Sequence, residues 1–509
     1  MKIEMEQGMK ITGSYSGMKI TVMGLGLNGG GLESARYLAG KGALVTVTDM
    51  KDEKALAPSI EQLEQDEKIG GRIRYVLGRH ETEDFASADM VIKNPGVRAD
   101  SPYLASAKRI ETDISLFLAA SPARLIAVTG SKGKSGTASA LHRALVKARE
   151  AGLAEGKACL GGNITVSPLR FLDTLEEKDD VVLELSSWQL GDLRLSGGGR
   201  GGTLKPRCAV ITSIMPDHQD RYSGMEDYVN DKREIYLHQD KTDLTVAPAD
   251  DEWGKSFLRE SPGRVLPFSE SPLPETTAGG WVSGSGPGFV RLCPGAEPLV
   301  AVPADPAIPG RSQKKNLLAA ALALLDLGFP AAFVRESLGS FPGIEHRLEL
   351  FHETAGIGFY NDSAATIPEA AAAAVEALAG NGEKSLVLVT GGTDKNLDYA
   401  PLVEAAARAK EIVLLEGSGS RKIAPLLRAA GIPFQGPFGN LEAAVTRAVE
   451  TAGNLVTETA GNTGAGKAVC VVLSPGCASF GMFKNEFDRG RQWKETVIRL
   501  SRRFLRSCP

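Results

Sequence analysis

The chain is short of the features that would tie it to a metal finger, a disulfide scaffold or a membrane. Its six cysteines, at 159, 208, 293, 470, 477 and 508, include no Cys-x-x-Cys pair, so neither a zinc knuckle nor a cross-linked secreted framework is indicated. No run approaches the roughly 18 apolar residues of a membrane span, and residues 1–17 are too polar for a secretory signal. Charge of one sign is lacking too: 58 basic against 62 acidic residues leave a net charge of −4, with no general pull toward nucleic acid or an anionic bilayer. The expectation is a cytoplasmic monomer whose partners are small molecules, with no nucleic-acid and no membrane partner.

What is present is ordinary globular material, 42% hydrophobic and 24% charged. At 509 residues the chain is too long for one core and predicts about three domains of roughly 150 residues each. Short β-branched runs at 19–23, 44–48, 90–93, 125–129, 181–185 and 208–213 alternate with alanine-rich helical stretches, and the rhythm resumes at 386–390, 412–415 and 468–473. Continuous apolar strands separated by helices predict parallel sheets covered on both faces. The fold class is therefore α/β, with a loose extension over 1–17, a Rossmann-like domain over 18–121, a central P-loop-type ATP-binding domain over 122–343 and a Rossmann-like C-terminal domain over 344–509. Proline and glycine at Ser121-Pro122 and Phe341-Pro342-Gly343 mark the borders. Glycine-rich stretches at 197–202, 278–288 and 461–466 are expected to be flexible surface loops.

Residues 128–135, Val-Thr-Gly-Ser-Lys-Gly-Lys-Ser, follow an apolar run and precede a helical stretch from 136 to about 151. Strand, glycine turn and helix start are the parts of a phosphate cradle. Backbone N–H groups attract a polyphosphate, Lys134 adds a point charge, and the Ser135 hydroxyl can ligate Mg2+. Gly130, Ser131, Lys132, Gly133, Lys134, Ser135 and Gly136 are the candidate contacts to ATP, although Val128 stands where the full pattern has glycine.

A second glycine turn, Gly24-Leu-Gly26-Leu-Asn-Gly29, follows the first strand, and Asp49 ends the next one. This resembles a dinucleotide fingerprint, but such a turn accepts any diphosphate and such an acid any hydroxyl. Two phosphate cradles in one chain point to an enzyme that uses ATP on a nucleotide-linked substrate.

Seven runs then occur in order: 129–135, Glu184-Leu-Ser-Ser-Trp-Gln-Leu190, Asp217-His-Gln-Asp-Arg-Tyr222, His346-Arg-Leu-Glu349, Asn361-Asp-Ser-Ala-Ala-Thr366, Gly391-Gly-Thr-Asp-Lys395 and Leu473-Ser-Pro-Gly-Cys-Ala-Ser479. Together they resemble the Mur ligases, and the second, third and last resemble the D-glutamate-adding branch. The resemblance implies ATP-dependent amide-bond formation through an acyl phosphate, with UDP-N-acetylmuramoyl-L-alanine and D-glutamate as substrates and two Mg2+ sites.

It also implies roles for single residues. Lys134, Glu184, His218 and Lys232 would be catalytic; Ser135 and Glu184 would hold one Mg2+, His218 a second, and Lys232 would act as a carbamate, an anionic oxygen donor for a hard cation. Asn316 would contact adenine, Arg347 the phosphates and Asp362 the ribose. Thr366 and Lys395 would take one carboxylate of D-glutamate and Ser479 the other. Leu27, Asn28, Gly29 and Asp49 would hold the uracil nucleotide, with Gly96 and Asn163 along the sugar and diphosphate path.

The chain departs from the branch at Lys132, Gln313 and Ala364, places usually held by asparagine, asparagine and lysine, and Glu486-Phe487 inverts the usual Phe-Glu order. Two other readings stay open. One is a folylpolyglutamate synthetase-like L-glutamate ligase, against which the 24–29 fingerprint counts; the other is a non-catalytic, ATP-switched binding module.

Overall fold

The computed structural model describes residues 15–26, 29–69, 71–164, 166–195, 202–218, 221–379, 385–460 and 469–504. It divides into two compact units, one of Met1–Pro303 with Lys315–Leu338 and one of Ala304–Lys314 with Gly339–Pro509.

The first unit holds two sheets. In the first, β1 (Lys19–Met23), β2 (Leu44–Asp49), β3 (Ile73–Leu77), β4 (Met90–Lys93) and β5 (Ile110–Glu111) run parallel in the order β3-β2-β1-β4-β5. Four of the five β1 residues are buried, as a strand covered on both faces requires. The helix Gly30–Gly40 packs on this sheet so closely that a Cβ on Gly31 would lie 2.1 Å from the Gly24 carbonyl oxygen. Gly31 is thus the close-approach glycine, one that the fingerprint reading did not single out. The extension expected over 1–17 also needs correction at its end: Tyr15 is buried and meets Tyr37 edge to face, so its ring belongs to the core. Residues 1–14 lie outside the described residues.

The second sheet has nine strands: β6 (Arg124–Thr129), β7 (Ala158–Gly162), β8 (Asp180–Glu184), β9 (Cys208–Ile211), β10 (Leu244–Pro248), β11 (Arg264–Ser269), β12 (Gly279–Val282), β13 (Gly288–Arg291) and β14 (Leu299–Val302). Their order is β14-β13-β12-β11-β10-β9-β6-β8-β7, parallel from β7 to β12 and antiparallel through β13 and β14.

Here the glycine-rich stretch 278–288, expected to be a flexible loop, is instead the hairpin of β12 and β13. Trp281 stacks on Phe289 with ring centres 5.8 Å apart, and a Cβ on Gly279 would lie 2.4 Å from the Pro267 carbonyl oxygen. These glycines allow close packing rather than freedom. Of the other two stretches only Gly202 lies within the described residues.

The second unit holds one six-stranded sheet, β15 (Glu349–Thr354), β16 (Ile357–Asn361), β17 (Leu386–Thr390), β18 (Glu411–Leu415), β19 (Phe434–Phe438) and β20 (Val469–Leu473), in the order β15-β16-β20-β17-β18-β19. Only β15 is antiparallel. Phe359, Val389, Val471 and Leu473 of this sheet share a core with Trp493 and Val497 of the helix Glu486–Phe504. Among the described residues no helix is long and apolar enough to cross a membrane. Cys159, Cys208, Cys293, Cys470 and Cys477 are free thiols, and Cys508 lies outside the described residues.

Candidate active site

In the nine-stranded sheet β8, β6 and β9 are neighbours, with Val128 opposite Glu184 and Thr129 opposite Ile211, so their carboxyl ends open onto one crevice. Such ends are where open parallel sheets bind ligands. The loop after β6 fits there only because of Gly130, whose φ is 142° and whose Cβ would lie 2.0 Å from Thr212 Oγ1. The loop then enters the helix Lys134–Glu150, and Ser135 and Gly136 lie in its first turn, where unpaired N–H groups and the helix dipole favour an anion. Lys134 Nζ donates to the carbonyls of Gly130 at 2.9 Å and Ser131 at 3.0 Å.

Two members of the expected cradle have other employment. The Ser131 amide donates to the Ser213 carbonyl, and its hydroxyl bonds to the Met215 carbonyl at 2.9 Å and to the Tyr228 hydroxyl at 2.8 Å. Ser131 therefore braces the loop, and its polar atoms are taken. The Lys132 side chain is exposed while its carbonyl accepts from Thr212 Oγ1 at 2.6 Å.

Glu184 is 1% exposed. Its Oε1 accepts from Asn163 Nδ2 at 2.8 Å, and its buried Oε2 has no hydrogen-bond partner. A buried carboxylate oxygen left unpaired is costly, so it is available to a cation. Asn163, expected along the sugar and diphosphate path, is tied to Glu184 through both its side chain and its amide N–H.

Lys232, on the helix Met225–Arg233, is 1% exposed. Its Nζ donates to the Gly130 carbonyl at 3.0 Å and lies 4.5 Å from the centre of the Tyr228 ring. Burial, helped by the nearby Lys134 charge, pushes the amine down to about 7, against the weaker pull of Asp217 and Asp231. His218 adopts a left-handed φ of 53°, half exposed, with its ring 4.8 Å from Trp188 and 6.4 Å from Tyr228. The loop carbonyls and Tyr228 thus bring Lys134, Lys232 and His218 to one place.

Sequence reasoning missed the residues that hold this place together. Arg221 stacks its guanidinium 4.1 Å from the Trp188 ring and donates to the carbonyls of Pro95 and Val97, clamping the turn that holds Gly96. Behind it Lys93 and Asp192 form a buried ion pair at 2.5 Å. Arg221 and Trp188 lie inside the motif runs and were visible there; the Lys93–Asp192 pair carries no local signal.

At the first glycine turn, Gly29 precedes the helix Gly30–Gly40, and Asp49 accepts from the amides of Gly26 at 3.1 Å and Lys51 at 2.9 Å. Asp49 therefore shapes the turn. Leu27 and Asn28 lie outside the described residues. Asn316 lies inside the helix Arg311–Asp326. Its side chain borders the phosphate loop, where a Cβ on Gly133 would lie 2.3 Å from Asn316 Oδ1.

The second unit has its own cavity, about 640 Å³, lined in part by Arg347, Asp362 and Thr366 together with the departures Gln313 and Ala364. Asp362 accepts from the Leu348 amide at 3.0 Å and from Ser474 Oγ at 2.6 Å. Burial pushes its carboxyl up to about 7 despite these bonds. Lys395 is exposed and Ser479 buried, and neither lines this cavity. Their loops are joined, however, by paired amide bonds between Thr393 and Ala478.

Three family models match in chain order: Mur ligase MurD-like N-terminal domain at 18–115, Mur ligase middle domain at 128–324 and Mur ligase glutamate ligase domain at 346–471. A UDP-N-acetylmuramoylalanine–D-glutamate ligase of Treponema pallidum is 40% identical over 94% of this chain and 97% of its own. The chain belongs to the Mur ligases. Among solved Mur ligases, UDP-N-acetylmuramate-alanine ligase of Thermotoga maritima matches with a TM-score of 0.52 at 18% identity, over 96% of this chain and 100% of that one. The MurF ligase of the same organism, solved in complex with ADP, matches with a TM-score of 0.50 at 16% identity over 96% of each chain. At these identities the likeness speaks for the fold, and the Mur ligase fold is the α/β architecture expected.

Proposed function

We propose that this Mur ligase joins D-glutamate to UDP-N-acetylmuramoyl-L-alanine in the cytoplasmic synthesis of peptidoglycan precursors. A carboxylate is too poor an electrophile to accept an amine. The alanine carboxylate therefore attacks the γ-phosphorus of ATP, ADP leaves, and the amino group of D-glutamate displaces phosphate from the acyl phosphate as the amide forms. Phosphoryl transfer of this kind needs positioning and charge neutralisation more than covalent help.

The observation that carries the reading is the crevice at the ends of β6, β8 and β9. It combines a helix N-terminus, the Lys134 charge, a buried Glu184 oxygen without a partner and a buried Lys232 amine that donates to a carbonyl. Ser135 and Glu184 offer hard oxygen donors that fit Mg2+, with His218 at a second site. Bound there, Mg2+ supplies charge neutralisation at the phosphate oxygens. An amine at about 7 is partly unprotonated at neutral pH, the form that adds to CO2 with loss of a proton to give a carbamate, and Lys232 is assigned that role.

Asn316, Arg347 and Asp362 serve ATP; Thr366, Lys395 and Ser479 serve D-glutamate; and Leu27, Asn28, Gly29, Asp49, Gly96 and Asn163 serve the UDP sugar. The domains follow as 18–121, 122–343 and 344–509.

The test is ADP and phosphate release by purified protein with ATP, the UDP-linked alanyl sugar and each amino acid in turn. Release should require both D-glutamate and the sugar, and L-glutamate should not replace D-glutamate. Release that ignores the amino acid would sink the reading.

A further inference from the structure

One of the largest fully buried side chains in the chain has no part in the chemistry above. Arg489, in the helix Glu486–Phe504, is 1% exposed. Its Nε donates to Ser363 Oγ at 3.0 Å, its Nη2 to the Ser363 carbonyl at 2.8 Å and its Nη1 to the Cys477 carbonyl at 3.2 Å. A Cβ placed on Gly392 would lie 3.6 Å from Nη1. Ser363 in turn donates its hydroxyl to the Glu486 carbonyl at 2.7 Å, closing the circuit onto the helix.

Ser363, Gly392 and Cys477 lie in the loops that follow β16, β17 and β20, and these strands are neighbours in the sheet. Those three loops carry Thr366, Lys395 and Ser479, the residues assigned to D-glutamate. The guanidinium therefore sits beneath all three at once. Two of the loops are further joined by the amide bonds between Thr393 and Ala478.

The acceptors of Arg489 are two carbonyls and a hydroxyl. A buried cation whose hydrogen bonds go to neutral acceptors is a poor device for stability alone, because the nearby Glu486 and Asp362 carboxyls offset the cost of its burial only in part. Burial lowers the guanidinium to about 10, which still leaves it charged at neutral pH. Its planar fork bridges fixed acceptors in a way that the single point charge of a lysine does not.

We propose that Arg489 is a positioning residue for the amino-acid substrate, holding the loops of Thr366, Lys395 and Ser479 in register and lending them a positive charge that favours a dicarboxylate. This rests on the reading of the chain as the D-glutamate-adding ligase.

The experiment compares wild type, Arg489→Lys and Ser363→Ala as full chains, each titrated separately with D-glutamate, ATP and the UDP-linked alanyl sugar, with melting temperatures measured alongside. Arg489→Lys keeps the charge and loses the fork, so the KM for D-glutamate should rise roughly tenfold or more, while the KM values for ATP and the sugar stay within about twofold. Ser363→Ala removes one acceptor and should raise the D-glutamate KM roughly threefold. An unchanged D-glutamate KM in either folded variant overturns the proposal. An equal rise in all three KM values does so too, since that is what a merely structural arginine would produce. Should Arg489→Lys fail to fold, Ser363→Ala carries the same decision. A wild-type chain that never shows D-glutamate-dependent ADP release would instead sink the functional reading itself.

Discussion

Each compact unit buries a cation that is held by neutral acceptors, and the two cations meet opposite fates. Lys232 lies under the phosphate loop with a carbonyl as its acceptor and falls to about 7. Arg489 lies under the C-terminal loops with three neutral acceptors and is lowered only to about 10, where it keeps its charge at neutral pH. Both groups are buried, but Lys134 works against the Lys232 charge while Glu486 and Asp362 favour that of Arg489, and the side chains differ as well. An ammonium concentrates its charge on one nitrogen and sheds a proton when desolvated, whereas a guanidinium spreads its charge and keeps it. One burial yields a group that can react, the other a group that can only arrange its surroundings. Lys93 shows the third outcome, a buried amine matched by the Asp192 carboxylate.

Exchanging the side chains is the strongest way to break this comparison. Lys232→Arg places a permanently charged group where a neutral amine is needed, and turnover should fall on the order of 10³-fold with substrate KM values little changed. Steady-state kinetics and a melting curve decide it; a folded variant that turns over at the parent rate removes any need for an unprotonated Lys232.

The paired cation should respond in stability rather than rate. Asp192→Asn leaves Lys93 buried without its counter-ion and should destabilise the first unit by about 3 kcal/mol or more, read as an earlier transition in urea. A midpoint equal to that of wild type would mean that Lys93 is neutral in the fold.

The last test concerns the acid near Arg489, whose effect is confined to a window of pH. Asp362 is pushed up to about 7, above an ordinary aspartate near 4, so the folded chain binds its proton more tightly than the unfolded one. That contribution to stability is complete below about pH 4 and is lost as pH rises through about 7. Relative to Asp362→Asn, wild type should therefore lose stability between these values, by about 1.4 kcal/mol per pH unit at most. A flat difference across the window would show that Arg489 and Arg347 hold Asp362 ionised throughout.

The sequence showed most of what lies on apolar strands and little of what lies between them. The strands at 19–23, 90–93 and 386–390 match the observed bounds because buried parallel strands read as unbroken β-branched runs. Lys134 and Glu184 were legible because a strand end delivers each to the same edge. The hairpin at 279–291 was hidden by its own glycines, which resemble linker residues until the Pro267 carbonyl beside Gly279 is known.

Arg489 was hidden by its charge. Yet it repeats at four-residue spacing with Trp493 and Val497, both fully buried, and that apolar stripe was the available sign that the arginine faces inward. Asn163 and Ser131 were legible as polar loop residues, but their partners Glu184 and Tyr228 are reached only by folding.

One edge strand of the nine-stranded sheet, β14, runs from Leu299 to Val302 between Pro298 and Pro303. A proline offers no amide donor, so a further strand from another molecule would find the open rim both short and interrupted at each end. That rim of the sheet thus carries its own stop against edge-to-edge pairing, written in two imino acids.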